Sequence, residues 1–191
     1  MSSSTSGPRD LECWLPDPVL RVTHRREAHA APRALWAAAR TVRLDDCRLL
    51  GRLVRWRIPG LPTQLTYRDL FRREPFVVLE EGDCWSLSGL CGRIWTLRRD
   101  YPQLKRPEHF MQWDEPGTAR VLFAHWAEPV GRGRAALVSR VHISAGDRGA
   151  RRGVALVRPL ITAFEQLISR EPLAIAARRA EETAPRLRGE S

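Results

Sequence analysis

The side chains best able to do chemistry in this sequence are five histidines, at 24, 29, 109, 125 and 142, and four cysteines, at 13, 47, 84 and 91. A zinc hydrolase of the HExxH type needs two histidines one helical turn apart, and no pair here has that spacing. The cysteines contain no CxxC pair, and the gap between Cys84 and Cys91 is not a zinc spacing. No metal and no cofactor is therefore expected. Ser139 lacks the Gly-x-Ser-x-Gly surround of a nucleophile elbow, so nothing supports a hydrolase triad. The remaining candidate is His125. Side chains alternate along a strand, which puts Val121, Phe123, His125 and Ala127 on one face of the segment Thr118 to Glu128. A histidine on an apolar face is either a core residue with a satisfied hydrogen bond or a group that contacts a ligand or moves a proton. Burial predicts a neutral ring near pH 7. On the next strand Leu137, Ser139, Val141 and Ile143 form the matching set, with Ser139 able to bond either a ligand or its own sheet. No catalytic residue is assigned.

Seven tryptophans add a second chemistry, since aromatic walls suit flat apolar ligands. Trp36, Trp85, Trp95 and Trp126 sit on predicted regular elements, where core filling is the competing role. The ligand-binding set expected from the sequence is Trp36, Trp85, Trp95, Phe110, Phe123, His125, Ser139 and Phe164.

The elements that must position these residues follow from periodicity. Residues 19 to 29 alternate as a first strand. Pro32 suits the first turn of a helix, with Leu35, Trp36, Ala39 and Val42 inward. A second helix is predicted after Asp45 or Asp46, whose carboxylates can cap it; Arg48, Arg52 and Arg55 make a basic stripe on it. Residues 61 to 75 have no clear period and read as a loop, with room for one helical turn, able to gate a pocket. Strands are predicted at Phe76 to Glu81, Cys84 to Cys91, Ile94 to Arg98, Thr118 to Glu128 and Ala135 to Ser144, with turn signals at Gly82-Asp83 and Gly131-Arg132-Gly133. Asp147 can cap a long closing helix over 147 to 182. Its residues Val154, Val157, Ile161, Phe164 and Ile168 step by three and four along one face. Pro159 predicts a kink in it, and Pro172 a second break. The fold class is α+β, a curved antiparallel sheet wrapped around the closing helix. Two apolar faces that meet this way predict a hydrophobic pocket of at least ~300 Å³ between the sheet and residues 154 to 168.

Composition bounds the rest. A chain of 191 residues with 43% hydrophobic content fits one domain, 19–182. It is flanked by a Ser-, Pro- and Gly-rich arm, 1–18, expected to be disordered apart from an anchor at Trp14 and Leu15, and by a loose tail, 183–191. No segment has the roughly 20 apolar residues of a membrane span, and no signal-peptide core is present. With reduced thiols, that predicts a cytoplasmic protein. The net charge of +10 invites a nucleic-acid reading. Yet Lys105 is the only lysine, and the Arg, Ala, Gly and Pro content is that of a GC-rich genome. No specific nucleic-acid partner is expected.

Four motifs occur in order: Ser88-Gly89-Leu90-Cys91-Gly92-Arg93-Ile94-Trp95, Glu115-Pro116-Gly117-Thr118-Ala119-Arg120, Ser139-Arg140-Val141, and Arg158-Pro159 inside the closing helix. Together they resemble uncharacterised bacterial members of the SRPBCC superfamily, the helix-grip group that includes START lipid-transfer domains and polyketide cyclases. The resemblance spans about residues 19 to 182. It implies a helix-grip fold with an apolar cavity and a small hydrophobic or amphipathic ligand as partner. Cyclase or dehydrase chemistry and a polyanion-binding arginine surface are the alternative functions. Relatives carry an acidic residue just before the Ser139 position, where this chain has Val138.

Overall fold

The computed structural model describes residues 8, 10–57, 62, 64–96 and 101–183, with the side chains of 53–57, 160, 161 and 163–169 outside that description. The chain runs α1 (Leu11–Trp14), β1 (Leu20–Ala28), α2 (Pro32–Thr41), a 3-10 turn (Leu44–Asp46), α3 (Arg48–Arg57), α4 (Tyr67–Leu70), β2 (Val77–Gly82) and β3 (Trp85–Gly92). Then come α5 (Pro107–Met111), β4 (Ala119–Gly131), β5 (Arg134–Ala145) and α6 (Arg148–Thr183). The strands form one open antiparallel sheet in the order β1-β5-β4-β3-β2. The long C-terminal helix closes over one face, which makes this a helix-grip fold.

Local chemistry explains the boundaries. Pro32 opens α2 as expected, and Gly133 takes a positive φ of 70° in the tight β4–β5 hairpin. Asp147 caps α6, accepting the Ala150 N–H at 2.7 Å, and its other oxygen accepts the Gly117 N–H at 2.5 Å. Pro159 and Pro172 both lie within a continuous α6. Pro172 therefore does not end the helix, and it is fully buried against the core.

Two expectations need correction. The strand predicted at Ile94 to Arg98 is absent over 94–96. Gly92 adopts φ 134°, and Ile94 and Thr96 donate to Gly92 and Arg93 carbonyls in a turn; residues 97 and 98 lie outside the described residues. Asp46 does not cap α3, because it accepts from the Arg43 backbone at 2.8 Å and from Arg179 at 2.7 Å. The cap comes instead from α6, where one Glu171 oxygen accepts the Leu49 and Leu50 N–H groups at 2.9 and 3.0 Å. In the described part of the N-terminal arm, Leu11 of α1 and its C-cap residue Leu15 are buried in the outer-face cluster.

That anchoring reflects a sheet buried on both faces. On the helix side, Leu20, Val22, Val121, Val141 and Ile143 meet Ala150 and Val154 at one end. At the other end Ala28, Ala127 and Leu137 meet Trp36, Leu173 and Ala177. On the outer side Leu87, Cys91, Leu122, Ala124 and Val138 form a separate cluster under α1 and α5. Near-continuous apolar runs such as Val121 to Ala127 are what such strands require.

Candidate ligand site

Between the two apolar ends of the inner face lies one polar row. Ser86 on β3 pairs with His125 on β4, His125 with Ser139 on β5, and Ser139 with His24 on β1. Four strands thus contribute one polar residue each at the same level, because the strand period puts equivalent positions on one face. Ser139 and His125 are buried, and Nε2 of His24 is buried without a hydrogen-bond partner among the described residues.

A recess opens above the His125 end of this row. Trp36 from α2, Tyr67 and Phe71 from the α4 segment, and Pro172 and Leu173 from α6 wall it; Ser86, Ser88 and His125 form its floor. At its rim Arg72 donates to both Glu81 oxygens at 2.9 Å, and Arg68 reaches the same carboxylate at 3.4 Å. The Tyr67 hydroxyl lies 3.0 Å from His125 Nε2. Phe71 sits at ring distances of 5.2 Å from Tyr67, 4.8 Å from His125, 5.1 Å from Phe123 and 5.1 Å from Phe76. Burial alone pushes the His125 pKa down to about 4, so its ring is neutral at pH 7. The volume of the recess is about 30 Å³. That holds ordered water, for which ~10–15 Å³ suffices. Tyr67 and Phe71 pack down into the recess. Most of the helix stretch facing the predicted pocket, 160–161 and 163–169, has side chains outside the described set, and the recess lies farther along α6.

The predicted site residues separate by strand parity. Trp36, Phe123, His125 and Ser139 are on the helix side. Trp95 is also there but at the far end, against α6: a Cβ at Gly153 would come within 2.7 Å of its ring. Trp85 and Phe110 are on the outer face, in the cluster with Leu87 and Leu122. Phe110 covers Gly89, where a Cβ would lie 2.5 Å from its ring. The sheet therefore separates both from the recess. Phe164 lies outside the described side chains.

Tyr67 and Phe71 were missed because residues 61 to 75 read as a loop. A signal was present. Thr66-x-x-Asp69 is a capping pattern, and Thr66 does accept the Asp69 N–H at 3.1 Å. Tyr67, Leu70 and Phe71 then follow at helical spacing.

Several arginines pair with carboxylates. Glu27 pairs with both Arg25 and Arg134, Glu128 with Arg25, and Asp46 with Arg179. Among the described residues no group of His, Cys, Asp and Glu is placed to hold a metal ion. No described helix is long and apolar enough to cross a membrane.

No family model and no curated protein matches the sequence. Among solved structures, the chain is similar to the Zhui aromatase/cyclase of Streptomyces sp. R1128, with 16% identity, TM-score 0.38, and coverage of 84% of this chain and 94% of that one. It is also similar to a hypothetical protein of Helicobacter pylori, at 10% identity and TM-score 0.44, covering 94% and 99%. A third is norcoclaurine synthase of Thalictrum flavum, at 14% identity and TM-score 0.32, covering 95% of each chain.

Proposed function

We propose that this protein binds a small hydrophobic or amphipathic molecule between its sheet and α6, without chemistry of its own. The observation that carries this reading is the recess roofed by Tyr67 and Phe71 over a neutral, hydrogen-bonded His125. Apolar walls with a few fixed polar groups are the usual make-up of a small-molecule site. Its small volume, about 30 Å³, requires that entry displace the α4 segment, so residues 66–75 act as the gate. The segment is suited to that, being one short helical turn between connections.

Cyclase-type catalysis fits less well. A general acid or base works best with a pKa near the operating pH. With a pKa of about 4, His125 is almost wholly unprotonated at pH 7, so it offers no imidazolium as general acid and is a weak base.

Native mass spectrometry after gentle purification, with titration of an environment-sensitive apolar dye, tests the proposal. Retained ligand or saturable dye binding is expected, with tighter dye binding in Phe71→Ala, which empties the roof. Absence of both in the wild type and in Phe71→Ala would refute it.

A further inference from the structure

The outer face of the sheet carries a polar feature unrelated to the recess. In the β1–β5 ladder the outward residues pair as Arg21 with His142 and Thr23 with Arg140. They form a two-by-two polar square beside the apolar cluster of that face. Opposite Arg140, β4 offers only Ala124. The long arginine therefore lies across the strand, with its guanidinium carbon 5.1 Å from the centre of the Trp126 ring. The α1 arm stands over the other side of the square. The cleft between them has a volume of about 460 Å³, in the ~300–1,000 Å³ range of organic-ligand sites.

The charges in the cleft do not cancel at its floor. Glu12 meets Arg21 at 3.3 Å, and Asp10 already accepts from the Glu12 N–H and the Cys13 thiol. Arg140 has no carboxylate within ion-pair distance among the described residues. His142 is 4% exposed, and its Nδ1 has no hydrogen-bond partner among the described residues. After burial, Arg21 and Arg140 lower its pKa against a smaller opposite pull from Glu12, so the field there is positive. A guanidinium held over an indole can still present N–H groups in the fork that fits a carboxylate or phosphate.

We infer that the cleft between the N-terminal arm and the Arg21, Thr23, Arg140 and His142 square binds a small organic anion by its carboxylate or phosphate group. A bare inorganic ion would leave most of the volume unfilled, so the ligand has an organic body.

Isothermal titration of the full chain with benzoate, phenyl phosphate and neutral benzamide is the test. At least one anion should bind and benzamide should not, and the preferred anion tells carboxylate from phosphate. Arg140→Gln should weaken anion binding by about tenfold, the effect of losing one charge-assisted hydrogen bond. Arg140→Lys, keeping charge but not the fork, should fall between. Arg132→Gln, in the exposed hairpin turn, should bind as the wild type does and controls for overall charge. Circular dichroism checks folding; if Arg140→Gln does not fold, Arg140→Lys and Thr23→Val carry the comparison. Equal affinity for benzamide, equal losses in the Arg140 and Arg132 variants, or no binding of either anion would overturn the inference.

Discussion

The Tyr67 hydroxyl stands 3.0 Å from Nε2 of His125, so the segment roofing the recess is tied to the middle of the sheet by a buried polar contact. Either ring can donate, depending on the histidine tautomer. Removing either group takes a polar partner from the other in a buried setting, which costs more than the bond contributes net. Tyr67→Phe and His125→Phe should each destabilise the fold by about 1–3 kcal/mol. The double variant should cost less than their sum. Chemical denaturation of all four proteins gives the coupling, and strict additivity would show that the contact is not formed.

The same burial makes stability depend on pH. The folded pKa of His125 is about 4, against 6.5 for the unexposed-to-field reference ring, so the unfolded chain binds the proton more readily. The stabilisation by the neutral ring is complete above pH 6.5. It is lost as pH falls from 6.5 toward 4 and changes no further below that. The whole effect is at most on the order of 3 kcal/mol. His24 and His142 are shifted in the same direction, also by burial first, and add to the same slope. Denaturation midpoints between pH 7 and 4.5 should fall more steeply for the wild type than for His125→Phe. Identical slopes would mean that His125 titrates normally.

Glu171 links the closing helix to α3 by accepting the Leu49 and Leu50 N–H groups. Glu171→Ala should destabilise the protein by about 1 kcal/mol, the usual worth of a helix cap. Glu171→Gln, which keeps an acceptor, should cost less. Amide exchange at Leu49 and Leu50 should quicken in the alanine variant; unchanged exchange there would contradict the cap.

Gly89 is needed because Phe110 lies directly over it. A Cβ there would sit 2.5 to 2.8 Å from three Phe110 ring atoms. Gly89→Ala should therefore destabilise by about 1–3 kcal/mol, as overpacking does. Gly89→Ala combined with Phe110→Leu should recover part of the loss. If Gly89→Ala alone is neutral in thermal unfolding, α5 does not press on the outer face as described.

Much of the scaffold was legible because local patterns and tertiary demands agree. The alternation of Val121, Phe123, His125 and Ala127 placed them on one face, and the Asp147 cap and the hairpin at Gly131 to Gly133 stand where the sequence puts them. The roof was harder to read. One helical turn at Tyr67–Leu70 is too short for periodicity to stand out from loop composition. The side of the sheet occupied by Trp85 was open to error, since a register shift of one residue reverses every side chain.

By itself the sequence determined the element order, the inward sets on β4 and β5, and a neutral buried His125, because strand parity, capping and desolvation act on neighbours along the chain. Tertiary structure alone decided which polar residues share a row and which aromatics fill the recess. Ser86, His125, Ser139 and His24 are far apart in sequence and meet only through strand pairing. Glu171 caps a helix more than a hundred residues upstream, and Arg21 and Arg140 share one cleft. Register and packing create such contacts between distant segments, and no local period encodes them.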